Sequence, residues 1–228
     1  MLGALAEMAI HVVTKDCTAL SDSDLAEMGD LAEVAGNEFG IGVLSKEAEA
    51  WVLVTLARRD EQLAGFAFCT LERIGGTPSV LIGLASIRRT SKRDSVLRAM
   101  MTEQFRRAVL AFPDEDVLVG SRFTNAGGFE AFKSLDDIVP RPGHVATGEE
   151  RAWGRRLAKR FGVENGGYDD RHFVATGDGV FPLALDHESL KPENLDTEVV
   201  ALFDVDAARG DSLIAFGWAM AEQLAKLS

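Results

Sequence analysis

The chain has 228 residues, 46% hydrophobic and 26% charged, which is ordinary globular usage and excludes disordered and fibrous classes. Its 24 Lys and Arg stand against 36 Asp and Glu, a formal net charge of -12, so its long-range field repels phosphates and argues against general binding to nucleic acid or an anionic membrane. Residues 1–13 carry Glu7 and no Lys or Arg, a poor signal peptide, and no apolar run reaches the length of a membrane span.

Cys17 and Cys69 lack metal-ligand spacing and sit among apolar neighbours, so reduced buried thiols in a cytoplasmic protein are expected.

Residues 10–14 read as a first strand. Ser21 and Asp24 then open a helical pattern with Leu25, Met28, Leu31, Ala32 and Ala35 on one face. Three glycines in residues 36–42 end that helix, and a loop is expected after them. Residues 51–57 are bulky or β-branched, the polar turn at residues 58–61 follows, and residues 63–71 complete a hairpin. After Gly75-Gly76-Thr77-Pro78, residues 80–87 are apolar enough for a strand buried on both faces.

Residues 96–112 place Leu97, Met101, Phe105, Ala108, Val109 and Phe112 at helical spacing. A strand from residue 117 makes the next step a right-handed crossover to a parallel partner. A short helix is expected over residues 125–135, with Thr124 or Asn125 as its cap. Pro140-Arg141-Pro142-Gly143 marks a linker before a basic amphipathic helix at residues 149–161 that is broken by Asn165-Gly166-Gly167. Residues 172–176 and 198–204 read as strands, and residues 211–227 as a final helix so broadly apolar that it is either buried on several sides or, through Trp218, a homodimer contact.

The junction at residues 88–95, Arg88-Arg89-Thr90-Ser91-Lys92-Arg93-Asp94-Ser95, concentrates four basic residues between a strand and a helix N-terminus in an otherwise acidic chain. A helix N-terminus offers unpaired N–H groups and partial positive charge, so this is anion-site chemistry; a solvated turn balancing Glu103, Asp114 and Asp116 is the structural alternative.

The order strand, helix, three-strand meander, helix, strand, helix, together with this junction and the segment from Asn125 to Leu135, resembles the core of the GNAT acyl-CoA N-acyltransferases over roughly residues 10–135. The resemblance implies an α/β (α+β) fold, a mixed and mostly antiparallel central sheet flanked by helices. Residues 1–140 would form the acyl-CoA-binding core, and residues 141–228 a C-terminal portion completing the sheet with an inserted helix and a final helix. It also implies acetyl-CoA or another acyl-CoA as co-substrate. Leu84, Ala85, Ser86 and Ile87 would line the pantetheine arm, Ser91, Lys92, Arg93, Asp94 and Ser95 would meet the phosphates, and Asn125 would contact the cofactor.

The chain departs from the family pattern at two places. Aligned on the following helix, Lys92 takes the position of Arg or Gln, while Ser95 and Leu97 replace the small residues that let backbone approach a pyrophosphate. Phe132, near the place of a Tyr general acid, has no ionisable hydroxyl.

Glu72, near the end of the third strand, is the candidate base for an acceptor amine, and Tyr168 and His172 are candidates for the acceptor site. No metal-ligand spacing links His144, His172 and His187. The sequence thus carries two hypotheses. One is an N-acyltransferase acting on a small-molecule amine or protein acceptor by direct attack. The other is an inactive GNAT-like module that binds a small molecule or protein.

Overall fold

A computed structural model describes residues 9–37, 39–164 and 166–227. Residues 1–8, which hold most of the stretch read as a poor signal peptide, and Asn165 of the expected helix break lie outside the described residues.

Strand β1 (His11–Asp16) leads into α1 (Asp22–Ala35). Ser21 Oγ accepts from the Asp24 amide at 3.2 Å while the Asp24 carboxylate accepts from the Ser21 amide at 2.8 Å, a reciprocal cap, and Gly36 closes the helix at φ 83°. Instead of the expected loop, the chain forms α2 (Ile41–Ala50), whose buried side bears Leu44 and Glu47. One buried turn close behind Gly36, Gly40 and Gly42 is too short a pattern to announce itself as a helix.

The meander β2 (Leu53–Arg59), β3 (Gln62–Ile74) and β4 (Thr77–Ile87) is antiparallel throughout. Asp60 and Glu61, both at positive φ, make its first turn. Helix α3 (Arg93–Ala111) then crosses to β5 (Val117–Phe123), which runs parallel to β4. Residues Ala126–Phe132 form 3₁₀ turns in place of the expected short helix, and β6 (Asp136–Val139) follows. Helix α4 (Gly148–Arg160) matches the amphipathic expectation, capped by Thr147 and Glu150.

The C-terminal expectations need three corrections. His172 lies in a turn, because β7 (Tyr168–Asp169) and β8 (Val174–Ala175) are only two residues each. After β9 (Leu185–Asp186), residues Thr197–Ala201 are helix α5, capped by the Asp196 side chain on the Glu198 amide, and not a strand. The expected final helix is strand β10 (Ser212–Ala219), followed by the single-turn α6 (Ala221–Leu224). Every residue of β10 but Trp218 is buried, so both faces are apolar and no periodicity distinguishes strand from buried helix. Trp218 itself is partly buried against the core.

The sheet order is β1-β2-β3-β4-β9-β5-β10-β8-β7, with β6 also on β10. One face packs on α1, α2 and α4 through Met28, Leu44, Trp51, Phe66, Leu84 and Leu157. The other packs on α3 and the 3₁₀ turns through Ala85, Val96, Met100, Phe105, Phe123 and Phe132. The result is a mixed, mostly antiparallel sheet flanked by helices, as the sequence led us to expect.

Candidate active site

Strand β4 is irregular where it matters. Between the pairs Cys69 with Ile82 and Ala67 with Ala85, β3 advances two residues and β4 three, so Gly83 and Leu84 bulge. Up to Ile82, β4 pairs with β5 in regular parallel register, and Ser121 Oγ donates to the Ile82 carbonyl at 3.0 Å. Beyond the bulge the two strands part. The gap holds the chain's own β9: Leu185 pairs with Ala85 and Phe123, Asp186 pairs with Ser86, and the Ala85 amide donates to the Ala184 carbonyl at 3.2 Å. Leu84, Ala85, Ser86 and Ile87, the expected pantetheine wall, are all buried at this point.

The opening leads to the N-terminus of α3, where no side chain caps the helix. Of the five residues expected to meet phosphates, Ser91, Arg93 and Asp94 line a cavity of about 370 Å³ together with His187, Lys133 and Lys191. Lys92 is the N-cap residue, and Ser95 lies one residue past Asp94 in the first turn. Arg93 is only 2% exposed, and its Nε and Nη1 have no hydrogen-bond partner. Burial lowers its pKa, with Asp186 pulling the other way, and among the described residues no carboxylate forms an ion pair with it, so the site holds a desolvated positive charge.

The segment after β9 is tied down at several points. His187 Nε2 lies 2.8 Å from Asp94 Oδ1, and Arg89 pairs with Glu188 at 3.0 Å. Asn125 does not cap the turns it precedes; its Nδ2 donates to Asp186 Oδ1 at 3.1 Å, and Thr124 Oγ1 donates to the same oxygen at 2.9 Å. Gly127 is needed for this approach, since a Cβ there would stand 2.3 Å from the His187 carbonyl. Phe132 is fully buried, edge-on to Phe123 at 4.9 Å, and performs core packing.

A carboxylate that the sequence reading missed stands beside the bulge. Glu47 on α2 is 8% exposed, and its Oε2 accepts from Trp51 Nε1 at 2.9 Å. That indole packs against β4 because position 83 is glycine: a Cβ there would fall 2.3 Å from Trp51 Cζ2. Burial raises the Glu47 pKa, while the indole bond and the charge of Arg122 oppose the shift. Glu47 lines a cavity of about 310 Å³ with Phe39, Lys46 and Phe181. The spacing Glu47 to Trp51, one helical turn in a short mixed segment, was the only sequence signal for it.

Glu72 is engaged elsewhere: its Oε1 accepts from Arg160 Nε at 2.7 Å, and the Arg160 guanidinium lies over the Trp51 ring at 5.3 Å. The structure does not bring Tyr168 and His172 to the β4–β5 opening. Both belong to the far edge of the sheet, Tyr168 with its hydroxyl buried against α4 at Gly154 and His172 exposed beside Asp169 at 2.6 Å. Among the described residues no group of three or more His, Cys, Asp or Glu is placed to hold a metal. Cys17 and Cys69 are buried free thiols, pushed up to about 11 and about 12 by desolvation.

No family model matches the sequence, and no curated protein matches it. Among solved structures, the chain is similar to the ribosomal-protein-S18-alanine N-acetyltransferase from Escherichia coli at 11% identity, covering 92% of this chain and 95% of that one with a TM-score of 0.44. It is similar to an aminoglycoside 6'-acetyltransferase type Ii at 10% identity, over 57% of this chain and 87% of that one, TM-score 0.42. A GNAT family acetyltransferase from Brucella melitensis in complex with acetyl-CoA shares 18% identity over 48% of this chain and 75% of that one, TM-score 0.35.

Proposed function

We propose that this protein is a GNAT-like acyl-CoA N-acyltransferase whose cofactor cleft is closed by its own strand β9 in the conformation described. The observation that carries the reading is the set of orphaned polar atoms around that strand. Arg93 Nε and Nη1, His187 Nδ1, Asn125 Oδ1 and Asn37 Oδ1 are all buried without partners. Each such group costs on the order of 1–3 kcal/mol unless something satisfies it. A cofactor with anionic phosphates and an amide-bearing arm, taking the place of β9, would do so: its phosphates would accept from Arg93 at the α3 N-terminus, and its arm, along Ala85 and Ser86, would offer N–H donors to the Asn oxygens.

Under this reading the acceptor amine approaches from the α2 side of the bulge. Glu47 takes its proton, directly or through a water. The nitrogen bonds to the thioester carbon, the carbon–sulfur bond breaks without an acyl-enzyme, and CoA leaves as a thiolate that takes up the proton the nitrogen then releases. Glu72 acts at one remove, by fixing Arg160 on Trp51.

The second reading, a binding module without catalysis, is favoured by β9 itself and by the absence of a hydroxyl at Phe132. Thermal unfolding of the full chain with acetyl-CoA and with free CoA separates the two from each other and from neither. A ligand present at about 100 times its dissociation constant stabilises by roughly 2.7 kcal/mol, a shift of about 5–10 °C at this length. A shift with both ligands and turnover on an amine panel supports transfer. A shift without turnover favours the binding module. No shift at millimolar ligand removes the cofactor assignment.

A further inference from the structure

Arg122 of β5 points to the face covered by α2 and α4; the neighbouring Gly120 on that face packs against Leu157 of α4, to which a Cβ would come within 3.2 Å. The Arg122 Nε donates to Ser212 Oγ at 2.9 Å, and among the described residues no carboxylate forms an ion pair with its guanidinium. That sets it apart from Arg58, Arg73, Arg155, Arg160 and Arg209, each of which holds an acid. It is half-buried, and burial lowers its pKa against the opposing charges of Asp178 and Glu47. A cation held in this way, its Nη groups without a hydrogen bond among the described residues, is poised for an anion from outside the chain.

The guanidinium lines a cavity of about 590 Å³, inside the range of small-molecule sites. Backbone at Gly166, Gly167 and Gly177 borders part of the space, and Phe181 and Leu183 supply an apolar wall. Two exposed acids, Glu164 and Asp178, line it as well. One guanidinium and two carboxylates do not suit a phosphate dianion. They suit a ligand whose carboxylate meets the planar fork of Arg122 and whose other end is positive.

We propose that this cavity binds a small amino-carboxylate, its carboxylate on the Arg122 guanidinium and its ammonium toward Asp178 and Glu164. The site is distinct from the cavity at the α3 N-terminus, shares Val180, Phe181 and Leu183 with the cavity beside Glu47, and does not depend on acyl transfer. If the transfer reading holds, the same cavity places a zwitterionic molecule on the acceptor side of the sheet.

The test uses a matched probe series on the full chain without CoA: 6-aminohexanoate, hexanoate, hexylamine and inorganic phosphate. The readout is the side-chain Nε–Hε resonance of Arg122 by NMR, assigned by its loss in Arg122→Gln. Saturable shifts are expected with 6-aminohexanoate and more weakly with hexanoate, and none with hexylamine. Measured by calorimetric titration, since the lysine variant lacks the Nε–Hε signal, Arg122→Lys should weaken 6-aminohexanoate about tenfold, the equivalent of one charge-assisted bond. Ser212→Ala, which leaves the Nη fork untouched, should keep it, and covers the case in which the Arg122 variants fold poorly. Absence of a saturable shift in the unaltered protein, equal binding of hexylamine, or tighter binding of phosphate overturns the proposal. A CoA-induced thermal shift retained in Arg122→Lys shows that the cofactor cleft is intact whichever way this test falls.

Discussion

The 2.8 Å contact between His187 Nε2 and Asp94 Oδ1 joins the strand that fills the β4–β5 opening to the first turn of α3. His187 is 1% exposed, and burial together with Arg93 lowers its pKa, against the raising influence of Asp94 and Asp186. Because the folded value lies below the unfolded one, the stabilising contribution is present above about pH 6.5 and is lost as pH falls below it. The Ala85 amide, bonded to Ala184, should therefore exchange faster at pH 5 than at pH 7.5 after correction for intrinsic rates. His187→Ala should speed its exchange at both pH values and flatten the difference. An unchanged pH response in that variant would place the sensitivity elsewhere.

Arg93 should show effects of opposite sign on stability and binding. A buried, unpaired guanidinium is costly to the ligand-free fold, so Arg93→Gln should leave the melting temperature unchanged or raise it by a few degrees, about 1 kcal/mol at roughly 2–4 °C each. The same change should weaken CoA by at least tenfold, the loss of one charge-assisted contact to phosphate. Calorimetric titration with CoA beside a thermal scan of the same sample checks both. A variant that loses stability and keeps its affinity would show that Arg93 serves the fold alone.

The elements that carry this site were legible in unequal measure. The β4 run was legible as a short apolar stretch bounded by a turn, the α3 stripe by its helical period, and the Ser21–Asp24 cap is local chemistry. The basic junction was recognisable for the same reason, as a local excess of charge. What escaped the reading was long-range. Leu185 and Asp186 give no strand signal, since two residues acquire strand geometry only from β4 and β5 on either side. Residues 212–219 were misread because burial on both faces erases alternation. Glu47 was overlooked because its burial comes from Trp51 and the sheet, neither of which a short helix of mixed residues reveals.

Gly83 should tolerate no side chain. A Cβ would meet Trp51 Cζ2 at 2.3 Å and Cε2 at 2.4 Å, so the indole must move or the bulge must close. Overpacking of this kind costs about 1–3 kcal/mol. Chemical denaturation of Gly83→Ala should show that loss, and adding Trp51→Leu should recover part of it, because the colliding ring is gone. Additive losses in the double variant would mean that the glycine matters for backbone geometry and not for the indole.

Glu47 is the residue on which stability and transfer should pull hardest against each other. Its raised pKa means that the folded state binds the proton more tightly than the unfolded chain. Its contribution is thus fully present below the unfolded value of about 4.3 and is lost as pH rises through the folded value. Glu47→Gln keeps an oxygen to accept the Trp51 N–H and removes the charge. The variant should be more stable than the parent above that range and indistinguishable from it near pH 4, in denaturant titrations run across pH. If Glu47 is the base, the same variant should lose about 10²–10⁴-fold in the rate of amine acylation. An acylation rate that survives the substitution, with the stability gain present, would assign Glu47 to holding Trp51 and return the search for a base to the cavities on either side of residues 180–183.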